Sequence, residues 1–160
     1  MKHSASRGIS IVEIVVASAI IATSVVGIVG AIQIYLKITY QNSRETQAVL
    51  LMDETAEAIQ YLRDVSYADN IDASTEGAEY TLFWNGTGYE LATSTIVLPY
   101  DMIRTIVFSE VERDSGNDQI TVSGTNDEST KLATVTIAWP YQGATSTISS
   151  EMLIHDLYAN

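Results

Sequence analysis

The sequence predicts an α+β protein: one long N-terminal α-helix, its first half suited to a membrane, laid on a C-terminal antiparallel β-sheet. Three observations carry this reading. Ile14 to Leu36 is a run of 23 residues without an ionisable acid or base, closed by Lys37. A helical period then continues to about Val65. From Asp69 onward the period changes to two, punctuated by Gly, Asn, Asp and Pro.

Composition narrows the function. The 160 residues, 46% hydrophobic, suit one small domain plus an unusually apolar segment. Eight Lys and Arg stand against twenty Asp and Glu, a formal charge of −12, so no basic surface can neutralise a phosphate backbone and direct nucleic-acid binding is not expected. The chain has no Cys, which removes disulfides, thiolate catalysis and zinc–thiolate sites together. Imidazole is limited to His3 and His155.

As a helix the uncharged run would be about 34 Å long, enough to cross a hydrocarbon core of about 30 Å. Lys2 and Arg7 on its N-terminal side place that terminus in the cytoplasm, although Lys37 and Arg44 weaken the asymmetry. Ala17-Ser18-Ala19 has the small-x-small form of a secretory cleavage site. A cut there would leave Ile20-Ile21-Ala22 and a long apolar stretch on the product, releasing nothing soluble. Glu13 is the anomaly, because a carboxylate at mid-bilayer costs about 2.5–3.5 kcal/mol and such residues are usually paired.

The string Arg7-Gly8-Ile9-Ser10-Ile11-Val12-Glu13, followed by the apolar run, resembles the cleavage and methylation site of type IV pilins and the pseudopilins of type II secretion. The resemblance covers about the first 60 residues. It implies that a prepilin peptidase cuts between Gly8 and Ile9, that the new amine of Ile9 is N-methylated, and that Glu13 meets the terminal amine of a neighbouring subunit during filament assembly. Ile9 departs from the Phe or Met most common there. Electrostatics fits this pairing, since a cation at Ile9 and an anion at Glu13 share one low-dielectric layer where an unpaired charge is expensive.

Ala19, Thr23, Gly27 and Ala31 recur every four residues, a ridge of small side chains that would let another helix approach closely. Small residues are also common in any membrane helix. Beyond Lys37 the pattern becomes amphipathic, with Ala48, Leu51, Thr55, Ala58 and Leu62 forming the apolar stripe. Tyr35 and Tyr40 flank the exit from the apolar run, where amphipathic rings favour an interface. The organisation read from these features is a cleaved leader (1–8), an assembly half of the helix (9–36), an amphipathic half (37–66) and a β domain (67–160).

In the β domain, Tyr80–Trp84 and Tyr89–Leu91 around Asn85-Gly86-Thr87-Gly88 read as a hairpin, because Asn-Gly supplies tight-turn geometry. A loop through Pro99 follows. Strands are expected at Arg104–Arg113, Gln119–Val122, Lys131–Trp139 and Ser146–Ile154, with Pro140 ending the third or marking an edge. This gives a sheet with one face on the helix and a Thr/Ser-rich face in water.

Rival chemistry is thin. His155 reads as a strand-end surface residue. Glu110 and Glu112, one strand repeat apart, are loosely compatible with a carboxylate pair and more simply two solvated acids. Asp114-Ser115-Gly116-Asn117-Asp118 offers oxygen ligands for Ca²⁺ but lacks the closing Glu of a full loop, and a polar turn has the same composition. Asn85-Gly86-Thr87 matches a glycosylation sequon, which its turn chemistry explains without a sugar.

The expectation is therefore a non-enzymatic structural subunit of a type IV pilus-like surface filament, with no cofactor, no metal and no catalytic residue. Its partners would be other pilin subunits, the prepilin peptidase and the membrane assembly machinery. It would sit in the cytoplasmic membrane before assembly and in a surface filament after it. Two alternatives stay open: a pseudopilin of a secretion or DNA-uptake system, and a single-pass anchored protein whose β domain binds a ligand.

Overall fold

The computed structural model describes residues 10–158. Helix α1 spans Ile11–Val65, uninterrupted because the segment holds no Pro and only two glycines, Gly27 and Gly30. The chain divides into two compact units at Ser43/Arg44, inside α1. The first unit is helix alone over its described residues.

In the second unit, Ala48, Thr55, Ala58, Ile59 and Leu62 are buried at three- and four-residue spacings, which is the amphipathic stripe facing inward. Leu51, also placed on that stripe, is half-buried against the same core. The helix stops at Val65, and Asn70 Nδ2 donates to the Leu62 carbonyl (2.9 Å). A π-helical turn, Ala68–Asp72, follows where the sequence suggested the strands begin. It buries Ile71 in the core.

Among the described residues, seven strands form one antiparallel sheet. They are β1 (Glu79–Trp84), β2 (Tyr89–Ala92), β3 (Val97–Leu98), β4 (Met102–Arg113), β5 (Ile120–Thr121), β6 (Thr125–Tyr141) and β7 (Ala144–His155). The main order is β2-β1-β4-β6-β7, with β3 and β5 pairing on β4. Alternation places Met102, Ile106 and Phe108 of β4 and Ala133, Val135, Ile137 and Trp139 of β6 on the helix side, all buried. On the other face Thr105 pairs with Thr136 and Val107 with Thr134, all half-buried. The α+β layout is thus present, a helix packed on an antiparallel sheet.

Three details differ from the sequence expectation. The segment before Pro99 forms the short strand β3, and Pro99–Asp101 makes a turn in which Tyr100 takes φ 65. Strand β6 begins at Thr125, six residues before the alternation becomes legible, because its polar start pairs with the end of β4. Pro140 lies within β6, opposite Thr145 of β7, beyond Ala138 where the β4 ladder stops. Its missing N–H is tolerated there because the strand has one neighbour at that point.

Arg104 stands in the inward row of β4, 4% exposed, between helix and sheet. Its Nη2 donates to the Leu82 carbonyl (2.6 Å) and its Nη1 to Thr55 Oγ1 (3.2 Å), with Glu54 Oε1 at 3.7 Å. Burial lowers its pKa, and the Glu54 carboxylate opposes that shift. Arg104→Ala leaves a cavity and a carbonyl without its partner, so we expect a loss of about 2–4 kcal/mol. Arg104→Met fills the space and should lose clearly less. Thermal melting of the full chain in detergent, followed by near-UV circular dichroism, compares them. Equal melting of the alanine variant and the parent would remove this anchor from the account.

Candidate assembly site

The apolar half of α1 is bare. Ile14, Val15, Ile20, Ile21, Val26, Ile28 and Ile34 are each more than half exposed, and they point in all directions around the axis. This helix is long and apolar enough to cross a membrane. Its few hydroxyls are turned inward on the backbone. Ser18 Oγ donates to the Val15 carbonyl (2.8 Å), Thr23 Oγ1 to those of Ala19 and Ile20 (3.0 Å each), and Ser24 Oγ to that of Ile20 (2.8 Å). Polar groups satisfied within one helix are what a medium without water requires.

Glu13 lies in the first turn of α1, exposed. Its N–H donates to the Ser10 carbonyl (3.0 Å), as does that of Ile14 (3.3 Å). Ser10 and Glu13 stand three apart at the helix start, the spacing of a capping box, a signal the sequence reading passed over. A carboxylate there also meets the positive end of the helix dipole, a contribution of about 0.3–1 kcal/mol. The Ser10 and Glu13 side chains make no capping hydrogen bond with each other's main chain, so the first-turn position on the dipole is what Glu13 has locally. Gly8 and Ile9, the expected cleavage and methylation positions, lie outside the described residues.

Ala19, Thr23, Gly27 and Ala31 are all exposed, and a Cβ added at Gly27 would meet nothing within 4 Å. At about 100° per residue, each four-residue step advances about 40° around the axis, so the ridge winds rather than running straight. It starts about 120° away from Glu13 at Ala19 and reaches the side of Glu13 at Ala31. A partner helix following the ridge would cross α1 at an angle.

In the β domain the Asp114–Asp118 loop and His155 line one open pocket together with Arg113 and Asp127, while Glu110 and Glu112 lie outside it. Pairing between β4 and β6 shifts register between Glu110 and Glu112, and Val111 between them is buried, so the even spacing expected of the two acids is interrupted by a bulge. Glu112 Oε2 accepts the Gly124 N–H (2.8 Å). Gly124 is required there because a Cβ would collide with the Arg113 carbonyl.

In the Asp114–Asp118 loop the oxygens serve the turn. Asp114 Oδ1 accepts the Gly116 N–H (2.7 Å), and Asn117 Oδ1 accepts that of Gln119 (3.0 Å). Among the described residues no three carboxylate or imidazole groups converge on a common point for a metal. Arg113 spans this loop and β6, donating from Nε to Asp127 Oδ2 (2.6 Å). Hydrogen bonds from Ser129 first, then from Arg113, hold the Asp127 carboxyl well below the usual carboxylate range. His155 ends β7, exposed, with Nδ1 3.0 Å from Thr130 Oγ1.

Compared with models of known protein families, with curated protein sequences and with solved structures, the chain matches none.

Proposed function

We propose that the chain is a structural subunit of a type IV pilus-like filament, cut after Gly8 by a prepilin peptidase and assembled through its N-terminal helix. The observation that carries the reading is the uncovered apolar helix directly after Arg7-Gly8-Ile9 with a single acid, Glu13, in its first turn. A bare Ile and Val surface running along the whole of this segment does not persist in water. Lipid covers it before assembly, and neighbouring helices cover it afterwards. Within a helix bundle the small-residue ridge allows close approach.

Loss of Lys2 and Arg7 with the leader leaves six basic side chains against twenty acids, a side-chain charge of −14. Subunits this acidic repel at low salt, so cohesion comes from helix packing and from the Ile9 amine meeting Glu13 of a neighbour. Other subunits, the peptidase and the membrane assembly machinery are the partners, and no residue of the chain is assigned a catalytic role.

The mass of the mature chain from its own membrane tests this directly. Loss of residues 1–8, with or without a methyl group on Ile9, is the expected result. An intact Met1 would favour a permanently anchored single-pass protein, and a start at Ile20 a secretory signal.

A further inference from the structure

The β1–β2 hairpin ends in Asn85-Gly86-Thr87, all three exposed. The Asn85 N–H donates to the Gly88 carbonyl (3.1 Å), closing the loop. Inside it, Asn85 Oδ1 accepts the N–H groups of Thr87 (2.8 Å) and Gly88 (2.9 Å) and the Thr87 hydroxyl (2.8 Å). Three donors thus hold the carboxamide by its oxygen. Because that group is planar, its nitrogen lies on the other branch, away from the loop, where it donates to the exposed carboxylate of Glu90.

The turn uses all three of these residues but constrains the third least. Asn85 supplies the side-chain acceptor, and Gly86 takes φ 101, which side chains resist. Thr87 serves the turn with its main-chain N–H, which any residue but proline could provide. Its hydroxyl adds a third bond to an Asn85 oxygen that two main-chain N–H groups already hold. Of the six asparagines in the chain, Asn85 alone is followed two residues later by Ser or Thr.

The neighbouring surface suits a sugar. Trp84, 59% exposed, meets Tyr89 edge to face at 5.2 Å, and Tyr89 meets Tyr61 at 6.4 Å. Aromatic faces carry negative charge density that attracts the C–H face of a pyranose ring.

We propose that Asn85 is an N-glycosylation site and that the first sugars of its glycan lie against Trp84. The proposal rests on the filament reading for one point, the placement of this hairpin outside the cytoplasm. The donor is an oligosaccharide linked to a polyprenyl pyrophosphate, acted on by a membrane transferase. The bond from sugar C1 to the pyrophosphate oxygen breaks and its electron pair leaves with the pyrophosphate. C1 bonds to Asn85 Nδ2, which gives up one proton to a base of the transferase.

The test is mass spectrometry of the full chain purified from the cell that makes it. Trypsin yields the peptide from Asp64 to Arg104, and fragmentation should place a saccharide on Asn85. Asn85→Gln and Thr87→Ala should abolish the added mass, and Thr87→Ser should keep it. An unmodified peptide from the parent chain, or a modified one from Asn85→Gln, overturns the site. Acrylamide should quench Trp84 less in the parent than in Thr87→Ala, with buried Trp139 unchanged, and equal quenching overturns the stacking. The same digest reports the N-terminus. A cut leader with bare Asn85 fails this proposal alone, whereas an intact Met1 with a glycan fails the filament reading alone.

Discussion

Gly8→Val is expected to leave the chain in the membrane as an uncut precursor, with mature subunit falling below detection. Gly8 stands just before the proposed scissile bond, and Val would put a stiff, branched side chain where the peptidase now meets only a hydrogen. The precursor would still insert, because the uncharged run from Ile14 to Leu36 is untouched. Immunoblotting of membranes separates the two forms by the eight-residue leader. Val12→Ala, an apolar neighbour with no proposed role, serves as the control and should mature normally. Normal maturation of Gly8→Val would sink the cleavage assignment.

Glu13→Gln is expected to be cut like the parent and to enter filaments at about a hundredth of its level or less. Removing one member of a buried charge pair typically costs about 3–5 kcal/mol, which is two orders of magnitude or more in affinity. The local alternative is much smaller. As a first-turn acid on the helix dipole, Glu13 contributes about 0.3–1 kcal/mol, so its loss would lower incorporation by roughly fivefold at most. The two roles thus differ enough for one measurement to separate them.

The assay compares cleavage, sheared-filament yield and melting of the full chain, in a strain lacking other pilins so that no wild-type subunit carries the variant along. Melting should not change, since Glu13 lies outside the unit that holds the sheet and its core. Near-wild-type filament yield would reduce Glu13 to a first-turn acid on the helix dipole.

The helix was legible because it depends on neighbours close in sequence, and the proposed assembly motif is read from the same kind of local spacing. A long uncharged run followed by a three-to-four-residue period, with no Pro in either, predicts α1 to Val65, where it ends. Gly8, Ile9, Glu13 and the ridge from Ala19 to Ala31 all fall on one short stretch whose meaning is set by spacing along it. The hairpin around Asn85-Gly86 was equally local, since side chain, carbonyl and the positive φ of Gly86 act within four residues.

By itself, then, the sequence determined the helix, the hairpin, the places of the long strands, and the motif on which the functional reading rests. Tertiary structure alone decided the strand order β2-β1-β4-β6-β7, the polar start of β6 at Thr125, the bulge between Glu110 and Glu112, and the burial of Arg104. The physical reason is that a period of two says which residues share a face but not which strand lies beside them. Arg104 shows the consequence most clearly. A guanidinium in an inward row looks like an error of alternation until Leu82, Thr55 and Glu54, 22 to 50 residues away, bring a carbonyl, a hydroxyl and a carboxylate around it.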